Sequence, residues 1–210
     1  MFEQLIGFSR SMGLSITAAI FLTLLVGELL AVGIALLYLR WSARPLRAFL
    51  PVGRLRWWEV TLVPLGLLVS AQILAQGGVA LLTALFHLAP AVGKATAAII
   101  PHQPVEFILA VAASVLAAGF CEEFLFRAFL PAVLGEYLPQ WLAAALSMPL
   151  FALIHLMGFG WMSLVSYTLW AIPYTLYVRR SQKLLPAMVA HALNDLLIFT
   201  VFLPLLVRAG

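Results

Sequence analysis

Charge is what this chain has least of. Asp, Glu, Lys and Arg together supply 10% of its 210 residues, where soluble domains carry about a quarter. Hydrophobic residues supply 64%, and the mean hydropathy is +1.09. Those figures exclude a water-soluble domain and point to a chain solvated mainly by lipid. Cysteine is almost missing as well. The single Cys121 rules out an intrachain disulfide framework. No linker, low-complexity tract or internal repeat interrupts the chain, so residues 1–210 are expected to form one integral-membrane domain.

The formal net charge of +4 raises the question of a nucleic-acid partner, and its distribution answers it. Eight of the twelve Lys and Arg fall in two short stretches: Arg40, Arg44, Arg47, Arg54 and Arg56, then Arg179, Arg180 and Lys183. They read as topology signals and anionic-lipid contacts, and no nucleic acid is expected as a partner.

What the chain has in abundance is apolar runs long enough to cross a bilayer, which takes about 20 residues at 1.5 Å per residue. There are six, at roughly 15–39, 60–87, 105–134, 141–157, 161–178 and 184–207. The expected fold is therefore all-α, a polytopic membrane helix bundle of about six transmembrane helices. The basic stretches follow the first and fifth runs, so an alternating path puts them on one face. By the positive-inside rule that face is cytoplasmic and both termini lie outside. Trp41, Trp57, Trp58, Trp141 and Trp161 fall at predicted helix ends, as an interfacial belt does. The first run is too long for a signal peptide, its positive charge follows it, and no small-residue cleavage site stands out, so it reads as a spanning helix. Residues 41–57, where Arg and Trp interleave around Pro45 and Pro51, are expected along the cytoplasmic interface.

Against this background a few polar residues have no place in hydrocarbon: Glu28, Glu122, Glu123, Arg127, His155, His191 and Asp195, with Asn194 beside the last. Ionisable groups at membrane depth face a bundle interior or water, and mark function by default. Glu123 and Arg127 are four apart and share a helix face. Glu122 lies about 100° further round and can point into a cavity. "HALND" sets His191 and Asp195 on one face, and "FALIH" stacks Phe151 a turn before His155. Counted from the cytoplasmic helix ends, Glu122 lies about 18 Å deep, His191 about 10 Å and His155 about 25 Å. Tilt, or a break at Pro149, has to close that spread. An intramembrane polar cavity is expected where these helices meet. Structural duty explains any one of these groups, such as a buried Glu123–Arg127 pair that fixes packing. For the whole set it explains less, because each desolvation costs several kcal/mol, on the order of 2–7.

A carboxylate beside an imidazole can deprotonate water and so make a nucleophile without a covalent intermediate. Glu122 with His155 fits that role. A second His with an Asn or Asp can stabilise the oxyanion that forms as water attacks a carbonyl, and His191 with Asn194 or Asp195 fits this one. Arg127 then holds Glu123 ionised. Peptide-bond hydrolysis in a membrane cavity is the reaction class that emerges.

"EEFLFR", "FALIH" and "HALND" resemble the three signature motifs, EExxxR, FxxxH and HxxxN/D, of the CPBP family. That family includes CAAX prenyl endoproteases, bacteriocin-processing and immunity proteins, and other glutamic-type intramembrane proteases. The resemblance covers about half the chain, roughly residues 105–200, which form the expected catalytic core. It implies that Glu122 activates water with His155, while His191 and the residue four later form the oxyanion site. That residue is often Asn in the family and is Asp195 here. An ionised Asp donates no hydrogen bond, so either Asp195 is protonated or it orients His191 while Asn194 donates. The resemblance implies metal-independent chemistry, so no cofactor or metal is expected. The implied substrate is a membrane-anchored or membrane-proximal protein or peptide. It would be cut beside a prenylated cysteine, or in a C-terminal or leader segment of an exported protein. A monomer in the plasma (inner) membrane of a prokaryote is the expected setting.

Four rival readings remain. Zinc on His155, His191 and Glu122 makes a metalloprotease. Cys121 makes a thiol nucleophile. The same fold without catalysis makes an immunity or scaffold protein. Glu28, alone in the first helix, belongs to a proton path in a transporter, although no inverted repeat accompanies it.

Overall fold

The computed structural model describes residue 9, residues 11–87 and residues 98–205. These form six long helices: α1 Ile16–Trp41, α2 Trp57–Phe86, α3 Pro104–Leu134, α4 Gln140–Phe159, α5 Met162–Ser181 and α6 Leu185–Leu205. Each matches an expected run to within a few residues; positions 206–207 of the sixth run lie outside the described residues. Four of the helices, α1, α2, α3 and α6, are long and apolar enough to cross a membrane. The shorter apolar stretch Gln140–Leu156 belongs to α4. Among the described residues there is no strand; an isolated antiparallel bridge joins Val52 and Lys183.

Helix starts follow local chemistry. The Ser15 side chain caps α1 by accepting from the Ala18 amide at 3.1 Å. α3 opens with Pro104 in its first turn, and Glu106 reaches back to the amides of His102 (2.6 Å) and Gln103 (3.0 Å). The Ser15 hydroxyl also donates to Glu106, which ties the start of α1 to that of α3. Glu59 does the same work at the start of α2, accepting from the Arg56 amide at 2.7 Å and pairing with Lys183. Gly160, with φ of +76°, lets the chain reverse between α4 and α5.

Burial is inverted relative to a soluble bundle. Large apolar side chains such as Leu30, Ile34, Leu37, Leu62, Ile73 and Ile108 are exposed around the outside. The interior is lined by small residues: Ala71, Ala75, Ala110, Ala113, Ala117, Ala128, Ala171, Ala187 and Ala190 are all buried. Lipid removes the hydrophobic drive between helices, so close backbone approach through small residues has to hold them together. Gly119 of α3 marks a close approach between two helices. A Cβ there would lie 2.8 Å from Ala192 Cβ and 3.0 Å from the Met188 carbonyl of α6.

The two basic stretches meet at one end of the bundle. Gly53 N–H donates to the Gln182 carbonyl at 3.0 Å, and Leu184 N–H to the Pro51 carbonyl at 2.9 Å. Residues 51–53 and 182–184 are thus stitched side by side. Trp41, Trp57, Trp58, Trp141 and Trp161 are exposed near helix ends, Trp41 to 91%; the sixth, Trp170, is buried in the core.

Candidate active site

The site is built where α3 and α6 cross. α3 does not run as a regular α-helix there: residues Ala113–Glu122 and Phe124–Phe129 are wound with π-type i→i+5 bonds. Such winding is rare and is frequent at functional sites. With no Cβ at Gly119 to hold α6 away, Glu122 and Glu123 come up against His191.

Glu123 is fully buried and is the hub. His191 Nδ1 lies 2.9 Å from its Oε1. A carboxylate accepts, so Nδ1 carries the proton and Nε2 is left facing the cavity side. Arg127 Nε stands 3.4 Å from Glu123 Oε2, and the Arg127 side chain is 1% exposed. The guanidinium lies 4.3 Å from the centre of the Phe151 ring, with Trp170 and Tyr174 at 5.9 and 5.8 Å. A desolvated cation over aromatic faces gains about 2 kcal/mol. Aromatic contact and Glu123 together offset what burial costs this charge.

Glu122 points the other way. Its Oε2 approaches His191 Nε2 at 3.8 Å and has no hydrogen-bond partner among the described residues. Asp195 Oδ1 lies 3.9 Å from the same nitrogen. The Asn194 amide donates to Asp195 Oδ1 at 3.0 Å and accepts from Gln72 Nε2 at 2.6 Å. His155, on α4, has Nδ1 3.0 Å from the Phe151 carbonyl. A carbonyl only accepts, so Nδ1–H donates and a neutral His155 keeps its lone pair on Nε2. Its ring stacks on Tyr167 with centroids 3.9 Å apart.

Glu122, His155, His191, Asn194 and Asp195 all line one cavity of about 320 Å³. The depths read along separate helices therefore converge in space. Glu123 and Arg127 stand behind the cavity wall, holding His191. Two features differ from the arrangement read from the motifs. The nearest imidazole to the Glu122 carboxylate is His191, with His155 further off in the cavity wall. His191 takes its orientation from Glu123, a contact between α3 and α6 that helical spacing within one helix does not reveal. Sequence reasoning also passed over Gln72 and Gln76 of α2, which line the same cavity. Two glutamines four apart in an apolar helix are the available signal.

Glu28 has a buried Oε2 without a hydrogen-bond partner among the described residues, and lies near enough to Glu122 to interact with it electrostatically. Cys121 is fully buried among apolar side chains. Among the described residues, no group of three or more His, Cys, Asp or Glu is arranged to hold a metal ion.

No curated protein and no solved structure matches the chain. Residues 104–197, slightly under half the chain, match the family described as type II CAAX prenyl endopeptidase Rce1-like. Through that segment, which holds all three motifs and every polar side chain that α3, α4 and α6 contribute to the cavity, this chain is similar to the Rce1-like endopeptidases of the CPBP family.

Proposed function

We propose that this protein is an intramembrane endopeptidase that hydrolyses a peptide bond of a membrane-associated protein or peptide with water activated by Glu122 and His155. One observation carries the reading: five polar side chains from three helices, matching three family motifs, line a single cavity. A buried cluster of this kind is costly, and a wet catalytic pocket gives it a use.

In the proposed reaction, Glu122 takes a proton from a water held between it and His155, and the hydroxide oxygen attacks the scissile carbonyl carbon. His191, held as an imidazolium by Glu123, donates Nε2–H to the developing oxyanion. The Asn194 amide has a second N–H to add, while Asp195 orients both donors. Glu122 then passes its proton to the amide nitrogen, the C–N bond breaks, and a carboxylic acid and an amine leave. Arg127 acts through Glu123 and touches no substrate. Peptide hydrolysis is the class indicated by the family, and a segment tethered at the bilayer is the substrate class its site depth suits.

The test compares cells producing the native chain with cells producing Glu122→Gln or His155→Ala at equal levels. New protein termini on membrane-proximal proteins, present only with the native chain, are expected. Identical termini in all three, with the biological role intact, would favour a non-catalytic scaffold instead.

A further inference from the structure

The cavity that holds Glu122 and His191 is lopsided along the bundle axis. α5 ends and α6 begins at the basic seam, where residues 51–53 and 182–184 are stitched together, so the start of α5 and the end of α6 mark the opposite face. α4 gives the cavity His155 and Phe159, at its far end, and α5 gives Ser166, Tyr167 and Trp170 from its first half. α6 lines it from His191 to Leu203, a rise of about 18 Å away from the seam.

Toward the seam the cavity is shut. Phe151, Tyr174 and Arg127 each stand about a turn nearer the seam than His155, Trp170 and Glu123 of the same helices, and none is more than 6% exposed. They pack as one plug. Trp170, in the cavity wall, stacks on Tyr174 with ring centroids 4.1 Å apart and on Phe151 at 5.7 Å, and the Arg127 guanidinium covers Phe151. In the other direction exposure rises. Glu122 and His191 are 8% and 3% exposed, Gln76 is exposed, and Phe159 and Leu24 reach 41% and 46%. A close-packed plug admits neither water nor peptide, so both reach Glu122 past Phe159 and Leu24.

We propose that the cavity is entered from the face opposite the basic seam, and that its substrate is a membrane-proximal segment of an exported protein, presented from the extracytoplasmic side. The seam identifies that side, since Lys and Arg collect on the cytoplasmic face. The rim sets the chemistry of the segment. Leu24, Phe159 and Leu203 are apolar and the hydrogen-bonding groups lie deeper. An arriving chain therefore carries an apolar stretch at the outer leaflet and delivers its backbone to the polar floor. A tail offered from the cytoplasm meets the plug around Arg127 instead. The substrate class rests on the peptidase reading; the side of entry does not.

The test places single cysteines in the full-length chain and labels them with a membrane-impermeant cationic thiol reagent, in right-side-out and in inside-out membrane vesicles. Ser166→Cys and Gln76→Cys probe the cavity, and Ser42→Cys probes the exposed basic end. The native chain, whose lone Cys121 is fully buried, is the blank. Both cavity cysteines are expected to react in right-side-out vesicles alone, and Ser42→Cys in inside-out vesicles alone. Gln76 is exposed, so its variant stays informative if Ser166→Cys fails to fold. Cavity cysteines that react in inside-out vesicles, or in neither kind, overturn the entry route. In the same membranes, new protein termini that depend on Glu122 should map to segments outside the cytoplasm; cytoplasmic termini overturn the substrate class. Labelling needs no catalysis. A cavity labelled from outside, with no Glu122-dependent termini at all, would therefore count against peptidase activity while the entry route stands.

Discussion

Two regions of this molecule use the same charged residue types to opposite effect. At the basic end, Arg44 pairs with Glu136, each side chain 31% exposed. Where α3 meets α6, Arg127 pairs with Glu123, each all but sealed from solvent. An exposed pair gains about 0–1 kcal/mol, because water already solvates both ions. A buried pair gains little more in net terms, but removing one partner strands a charge in low dielectric and costs about 3–5 kcal/mol. Specificity is what the buried arrangement adds. Glu123 meets His191 and Arg127 together in one geometry, which sets the imidazole between Glu122 and Asp195.

The comparison can be broken at several points. The largest effect is expected from Glu122→Gln, which keeps the shape of the side chain and removes the proposed base. Peptide cleavage should fall by a factor of about 10²–10⁴ with little change in Tm. Arg127→Ala comes next and acts on stability first. It leaves Glu123 with His191 alone, and denaturant unfolding in micelles should show a loss of about 3–5 kcal/mol. Gly119→Val tests the crossing itself. Because the added carbons would press on the Met188 carbonyl as well as Ala192, the helices have to part, at a cost of about 1–3 kcal/mol. Its diagnostic sign would be loss of activity exceeding loss of stability, since the Glu123–His191 distance is the quantity disturbed. Gln72→Leu removes one bond to Asn194 and should cost about 1–2 kcal/mol. The same variant should lower cleavage modestly if the Asn194 amide serves the oxyanion.

Helices were legible in the sequence because lipid enforces long apolar runs, and the six observed begin and end close to the hydropathy boundaries. That the two basic stretches share one end of the bundle followed from their places after the first and fifth runs, but the hydrogen bonds that join residues 51–53 to 182–184 did not. Partnerships across helices were not legible. The i,i+4 rule exposed Glu123 with Arg127, but no periodicity within α3 or α6 encodes the hydrogen bond from His191 to Glu123. That contact depends on the closeness allowed by Gly119 and on π winding of α3, which shifts side-chain register away from 3.6 residues per turn. Gln72 was missed for a related reason. Its role comes from its neighbour Asn194, and an uncharged amide on an apolar helix gives no sign of where it points.

The smallest effect is expected at the exposed end, and it bears most directly on the contrast. Arg44 contacts both oxygens of Glu136, a bidentate geometry that places the pair near the top of the exposed range. A double-mutant cycle with Arg44→Gln and Glu136→Gln should therefore return a coupling of about 0.5–1 kcal/mol, shrinking as salt is raised past physiological ionic strength. The corresponding cycle on Glu123 and Arg127 should be several-fold larger and insensitive to salt, since screening ions do not reach either side chain. Equal couplings in the two cycles would mean that water reaches the α3–α6 crossing as freely as the surface. The buried cluster would then no longer hold His191 in one geometry, and the mechanism built on that imidazole would lose its support.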